Sequence, residues 1–491
     1  MTDNRDPRRW LILVVLCLST LVLVVDNMVL TVAVPPLTAD LKASAQDVQW
    51  VLDSYMLVFA GLLLTSGSLA DRFGRRKVMI IGLALFGAAS LFATFVTSPG
   101  ELIAARVVMG VGGALVMPST LSILITVFDE RERRKAMAAW SAVAVLGMVG
   151  GPVLGGALIA SFSWAAVFLV NVPVAVIAIV AAVVLMPESR GPWQKSDPLG
   201  AILSAIGMTA LVWMIIELPH HGFPHANTLL ALAVTVVALT GFVWWELRTD
   251  SPMVPLALFR DRDFSGGSLA LTLVQIGNGG LLLVLTQYLQ FVLGYTPTEA
   301  GLAFIPMAVA SLISNSLGAA LGTRVGNRAL AVVGLVAMAA GFVLLAGLTT
   351  TAGVPTLVTA LALLGAGGGL AMPAAIAALM GAVPPEQAGV GSALNDTIQQ
   401  LGAALGVAVL GSLVAANYTN AMPATAPEAA RRSIGDALTF GTPTLTDSAR
   451  TAFTDAMSTA FVAGAAGVLA AAVLALFVMR GREPAGEPVA A

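Results

Sequence analysis

Residues 50–97 read WVLDSYMLVFAGLLLTSGSLADRFGRRKVMIIGLALFGAASLFATFVT. Two apolar runs of about twenty residues, the length that crosses a bilayer's hydrocarbon core, flank a hinge. The last seven residues of that hinge, Asp71 to Lys77, carry five charges. A strand of a membrane barrel would show a segment of about ten residues alternating apolar and polar. These runs are continuous instead. The stretch therefore reads as two transmembrane helices joined by a tight, basic turn.

Working outward gives the same picture. The chain has 491 residues, of which 58% are hydrophobic and 11% charged, against about 25% charged in an ordinary soluble domain. Such a composition leaves no polar coat for a water-soluble fold. The expected spans are 10–34, 50–70, 78–97, 101–126, 137–160, 165–186, 198–218, 228–247, 265–291, 300–321, 329–348, 355–381, 388–414 and 456–480. Most connections are short; the exception is the polar stretch 415–455. Arg5, Arg8 and Arg9 precede the first run, Trp10 to Val34. It exceeds the roughly 7–15 apolar residues of a signal peptide and ends at Pro35-Pro36, so it reads as an uncleaved first helix.

Basic residues set the orientation. With the N-terminus cytoplasmic, twenty Lys and Arg fall inside, including Arg131, Arg134, Lys195, Arg324, Arg480 and Arg482. Only Lys42, Arg431, Arg432 and Arg450 fall outside, and Arg106 lies within a span. An even number of spans follows, with both termini cytoplasmic and the protein placed in the cell membrane. The hinge Gly67 to Lys77 has a counterpart, Leu321-Gly-Thr-Arg324-Val-Gly326-Asn-Arg328, and both contain Arg-x-Gly-x-Arg. Each joins the second and third helices of a six-helix half if the seventh and eighth helices are an extra central pair. The expected organisation is a bundle over 1–190, a linker with the two extra helices over 191–262, and a second bundle over 263–491.

The composition also excludes several classes. Net charge is -2, so no nucleic-acid partner is expected. The single cysteine, Cys17, permits no internal disulfide, and no zinc-type spacing occurs. His220, His221 and His225 fall in one outer loop that reads as solvated. No Walker-type phosphate loop is present, and no convergent catalytic cluster marks an enzyme or a sensor. Transport is then passive or driven by an ion gradient, which supplies about 2.3 kcal/mol per charge per 100 mV.

Charges inside spans cost roughly 2.5–3.5 kcal/mol each on the insertion scale, so they mark sites. Asp26 lies ~14 Å from the outer end of its span, Asp53 ~5 Å and Arg106 ~8 Å deep, and Asp396 ~15 Å deep near the midplane. The first three share the outer half of the membrane, where Arg106 can tune a carboxylate. Asp26 and Asp396 are the expected proton carriers. Either Asp26 with Arg106, or Asp53 at a wet helix end, also has a purely structural reading. Glu217 reads as an interfacial residue. In the hinge, glycines permit the turn, and Asp71 can cap or pair at a helix end beside Arg72, Arg75 and Arg76. Gly147, Gly151 and Gly155 fall on one helix face, beside Pro152 and Gly156, which suits close helix packing. Tyr55, Phe59, Trp213, Phe304 and Met307 offer an adaptable apolar pocket, and Trp140 is a further aromatic within a span; packing or lipid contact is the simpler role for each.

These motifs resemble the fourteen-helix drug:proton antiporters of the major facilitator superfamily. Gly67 to Lys77, with Gly74 at its turn, is similar to the superfamily's signature loop. Arg106-Val-Val-Met-Gly110-Val-Gly112 resembles its fourth-helix motif, and Gly147 through Gly156 the fifth-helix antiporter motif. Asp26 through Pro35 and Trp164 through Pro173, with Asn171-Val-Pro173, also match. Two departures stand out. Ala308-Val-Ala-Ser311 stands where some relatives carry an acid, and Asp396 is the one acid of the thirteenth helix. The resemblance implies an all-α major facilitator fold of two six-helix bundles plus two helices, and a gating role for the signature loop. It further implies proton-coupled efflux of lipophilic cations such as quaternary ammonium compounds, dyes and antibiotics. A dedicated exporter of one natural product or lipid is the alternative. Small-molecule substrates, protons and the bilayer are the expected partners of a monomer; no cofactor, metal or catalytic residue is expected.

Overall fold

The computed structural model describes residues 7–43, 45–191, 197–221, 225–249, 252–351 and 353–479. Arg5, Lys195, Arg480 and Arg482 lie outside the described residues, as do the side chains of Arg131, Arg134, Pro152, His220, His221 and Arg324. Among the described residues the chain is helical, with no strand. Fourteen long helices follow one another: α1 Arg9–Leu41, α2 Ala45–Phe73, α3 Arg75–Ala93, α4 Pro99–Val127, α5 Glu130–Ser161, α6 Asn171–Leu185, α7 Pro198–His221, α8 Ala226–Glu246, α9 Arg262–Gln287, α10 Ile305–Val325, α11 Asn327–Ala346, α12 Val354–Gly381, α13 Ala388–Ala421 and α14 Pro443–Val478. Among the described residues, thirteen helices are long and apolar enough to cross a membrane. The remaining long helix, α5, opens with six residues, Glu130 to Lys135, all of them charged, and turns apolar only from Ala136.

Local chemistry sets several boundaries. Ser98 caps α4 by accepting from the Glu101 N–H, and Pro99 fills the first turn, where no N–H is needed. Asp261 caps α9 through the amides of Asp263 and Phe264. α1 does not stop at Pro35-Pro36; it runs to Leu41 and ends where Lys42 turns left-handed, φ 52°. Proline inside a membrane helix is tolerated when neighbours satisfy the freed carbonyls. The sixth span breaks into a turn at Ala166–Leu169 and a helix restarting at Asn171, which puts Pro173 in a first turn. The polar stretch 415–455 is shorter as a loop than expected. α13 continues to Ala421, two short helices follow at Glu428–Arg432 and Ile434–Thr439, and α14 starts at Pro443. The Tyr418 hydroxyl fastens that connection by donating to the Ala430 carbonyl at 2.9 Å.

The chain divides into two compact units, one of Met1–Leu256, Pro297–Leu302 and Val383–Leu401, the other of Ala257–Thr296, Ala303–Ala382 and Gly402–Ala491. α7 and α8 belong to the first. There α7 packs along α2, with Leu57, Ala60 and Val212 buried against Trp213 and Leu401, and Thr65 Oγ1 donates to the Ala201 carbonyl at 3.5 Å.

The repeat seen in the hinges extends into packing. Gly74 and Gly326 both precede the third helix of a half, and both have positive φ, 112° and 87°. Eight residues on, Gly82 meets Gly112 of α4, and Gly334 meets Gly367 of α12. A Cβ on Gly82 would sit 2.7 Å from the Gly112 carbonyl oxygen, and one on Gly334 2.5 Å from that of Gly367. α4 and α12 each also carry an internal proline, Pro118 and Pro373. The same junction is thus built twice.

The glycine face of α5 has a defined partner. Cβ atoms on Gly147, Gly151 and Gly155 would lie 2.8 Å from Val24 Cγ1, 2.5 Å from Met28 Cβ and 2.9 Å from Val29 Cγ1, all on α1. A Cβ on Gly156 would meet nothing within 4 Å. Gly151→Leu should therefore destabilise the detergent-solubilised protein by about 1–3 kcal/mol through overpacking. Gly156→Ala should leave the thermal midpoint unchanged or higher, because alanine favours helix. Equal midpoints for the two variants would mean that α5 does not press on α1 at this face.

Candidate functional site

The α5 glycine face presses on the segment of α1 that carries Asp26. That side chain and Arg106 of α4 are both almost fully buried, and Arg106 Nη1 lies 2.5 Å from Asp26 Oδ2. The other carboxylate oxygen accepts from Asn171 Nδ2 at 2.8 Å. The break before α6 positions Asn171 at that helix's start, and its Nδ2 also reaches Ser90 Oγ at 3.3 Å. The guanidinium is held equally well. Nε donates to the Val51 carbonyl at 3.2 Å, Nη2 to Asn27 Oδ1 at 3.4 Å, and the Tyr55 ring lies beneath it with 4.3 Å from Cζ to the centroid. Tyr55 stacks on Phe59, centroids 5.6 Å apart. α2 comes this close because α4 offers Gly110 and Gly113; a Cβ on Gly113 would stand 2.9 Å from the Tyr55 hydroxyl oxygen. Five helices, α1, α2, α3, α4 and α6, thus converge on one buried ion pair. Asp53 is half-buried on α2, two residues beyond Val51.

The second cluster lies at the α2–α3 turn. Asp71 accepts from the backbone N–H groups of Gly389 and Val390 at 3.0 and 3.1 Å, at the first turn of α13. This is where a helix favours an anion. Arg75 Nε and Nη2 bind the same carboxylate at 2.8 and 2.6 Å, and Nη2 also donates to the Pro385 carbonyl at 3.0 Å. Gly67 and Gly389 make room for the contact: a Cβ on Gly389 would lie 2.6 Å from Asp71 Cγ, and one on Gly67 2.5 Å from Ala393 Cβ. Arg76 Nη1 donates to the Met186 carbonyl at 2.8 Å, and its amide donates to Glu188 Oε1 at 3.2 Å. Arg72 lies over the Phe73 ring, 5.2 Å from the centroid.

The third cluster is one stretch of α13, beginning a turn beyond Gly389. Ser392, Asn395, Asp396 and Thr397 are all buried. Asn395 Nδ2 donates to Asp396 Oδ1 at 2.9 Å. Asp396 Oδ2, Asn395 Oδ1, Ser392 Oγ and Thr397 Oγ1 have no hydrogen-bond partner among the described residues. The aromatic candidates separate. Phe304 and Met307 are buried at the start of α10, and Trp213 is half-buried with its Nε1 3.3 Å from Glu217 Oε1.

The family model described as Major Facilitator Superfamily matches residues 16–265 and 267–490. The chain belongs to the Major Facilitator Superfamily. It is 37% identical to the multidrug efflux pump LfrA of Mycolicibacterium smegmatis over 96% of this chain and 97% of that one. It is 32% identical to the tetracenomycin C resistance and export protein of Streptomyces glaucescens, over 96% and 92%. Against the methyl viologen resistance protein SmvA of Salmonella typhimurium the identity is 34%, over 84% of each chain. In fold it matches the human organic anion transporter MFSD10 (TETRAN), with a TM-score of 0.61 over 94% of this chain and all of that one, at 16% identity.

In this superfamily member the sequence alone points to Asp26 and Arg106 but gives Asn171 no role. The signal is present: an amide side chain at the head of an apolar run, two residues before a proline. The recipient of Asp71 is not legible in the sequence, because it consists of main-chain N–H groups. Arg106→Ala should cost about 3–5 kcal/mol, since it leaves a buried carboxylate uncompensated, whereas Asn171→Leu should cost about 1–3 kcal/mol for the lost donor. Thermal unfolding in detergent measures both, and a milder loss for Arg106→Ala would contradict this ranking.

Proposed function

We propose that this transporter is a proton-coupled multidrug efflux antiporter that exports lipophilic cations by alternating access. The observation that carries the proposal is Asp396 Oδ2, a buried carboxylate oxygen without a partner among the described residues. A carboxylate in that setting is neutralised by a proton or by a cationic ligand, since leaving it charged and unpaired is expensive. Competition between the two is antiport in its simplest form. Asp26 is a poor place for that exchange, because Arg106 and Asn171 already occupy both of its oxygens. Its part is to join helices α1, α4 and α6 as the bundle rearranges.

The relatives support the same direction. One is a multidrug efflux pump, and another confers resistance to methyl viologen, which is an organic dication. The tetracenomycin C exporter supports the second reading, a dedicated exporter of one natural product. The distribution of twenty inner against four outer basic residues supports a cell-membrane location with both termini cytoplasmic. On that orientation the Asp71–Gly389 contact is a cytoplasmic latch that must open and close in each cycle.

The test is proton release from proteoliposomes on adding a quaternary ammonium compound. Wild type should release protons, and Asp396→Asn should not. Release by Asp396→Asn at the wild-type level would remove Asp396 from the exchange. No release by wild type would point to neutral or anionic substrates. Asp71→Asn should keep cation-induced proton release in detergent but slow transport at least tenfold; transport at the wild-type rate would show that the latch is not a gate.

A further inference from the structure

A pair of acids that plays no part in the clusters above sits where α7 begins and α8 ends. Asp197 precedes α7, and Glu246, only 5% exposed, is the last residue of α8. Asp197 Oδ1 accepts from the Gly200 amide and from Trp245 Nε1, both at 2.8 Å. Glu246 Oε2 accepts from the Val254 amide at 3.1 Å. The two remaining oxygens, Asp197 Oδ2 and Glu246 Oε1, have no donor among the described residues. The two carboxyls interact directly, and both oxygens approach one point over Gly200, which holds them within roughly 5 Å of each other. A Cβ on Gly200 would collide with both, 2.8 Å from Glu246 Oε1 and closer still to Asp197 Oδ2. The missing side chain at position 200 leaves room for the two carboxyls to meet.

Two ionised carboxylates at this range, shielded from water, repel, and one proton between them removes the conflict. We propose that Asp197 and Glu246 share a single proton and form a second proton-binding site, at the junction of the two extra helices. The donors decide where the proton rests. Asp197 already receives two N–H groups on one oxygen, which suits a carboxylate. Glu246 carries the proton on Oε1 and donates it to Asp197 Oδ2. Loss of that proton would set two anions face to face and loosen the grip of Glu246 on Val254, in the segment leading away from α8.

Charged neighbours on the packed elements are otherwise engaged. Arg248 lies over the Trp244 ring, 4.3 Å from its centroid, Arg72 over Phe73, and Asp71 is bound by Arg75 and α13. The turn of Met253 and Val254 contributes no charge. Lys195 and Asp250, near in sequence, lie outside the described residues.

The experiment is infrared spectroscopy of the full chain in lipid, without substrate, through an alkaline step. Wild type should lose a protonated-carboxyl C=O band. That band should be absent from both Glu246→Gln and Asp197→Asn, because an amide N–H then replaces the shared proton, and it should persist in Asp396→Asn. Each of the two variants should release one proton fewer per chain, and the alkaline fall in thermal midpoint should shrink at least twofold. Wild-type proton release by both variants would overturn the proposal. So would displacement of the band by sodium or calcium ions at constant pH, which would make the pair a metal-cation site.

Discussion

An arginine and an aspartate that meet inside a hydrocarbon layer have no water to return to. Every other choice around Arg106 and Asp26 follows from that constraint. The carboxylate needs a second donor, so Asn171 must arrive at the head of α6. The guanidinium needs acceptors and a ring face, so α2 must bring the Val51 carbonyl and Tyr55 within reach. α2 and α4 can approach only where α4 has glycine, and α1 stays in place because the glycine face of α5 fits against it. A single buried charge pair thereby dictates where small residues stand on two neighbouring helices. Desolvation offsets much of the Coulomb attraction in such pairs, so this pair's net contribution to stability is smaller than its geometry suggests.

The carboxylates of this chain fall into separate physical situations. Asp26 is enclosed by donors on both oxygens, and Asp71 by a guanidinium and two amides. Among the described residues, Asp396, Asp197 and Glu246 each keep one oxygen without a hydrogen-bond donor. Enclosed carboxylates hold structure and resist exchange. Open ones are available to a proton or a cation. The proposed coupling to a proton gradient would use both kinds, because something must bind and release while the framework around it remains defined.

Much of the fold is legible in the sequence because the bilayer imposes a length on every apolar run and a charge bias on every loop. The fourteen expected spans coincide with α1 to α14 for that reason. The boundaries are less legible. Pro35-Pro36 resembles a terminus, yet α1 continues to Leu41, and the polar residues after Ala415 still form helix. Intramembrane acids identify themselves by their cost, which is how Asp26 and Asp396 emerge. Their partners emerge only when they are charged, as with Arg106. Asn171 emerges only as part of the matching stretch Trp164 through Pro173, with no role attached to its side chain. Asp197 and Glu246, at the ends of apolar runs, look like ordinary interfacial acids. Only the fold brings them together over Gly200.

The contact made by Asp71 is unequal in kind on its two sides. One side is a particular carboxylate at a particular position; the other consists of N–H groups that every residue except proline supplies. Sequence drift along the first turn of α13 therefore leaves the receptor intact, provided that position 389 keeps no side chain. Drift at position 71 to a residue without a side-chain oxygen removes the acceptor for both amides. The information that specifies this junction is stored almost wholly in the hinge, and the helix it grasps can diversify along its first turn without losing the grip.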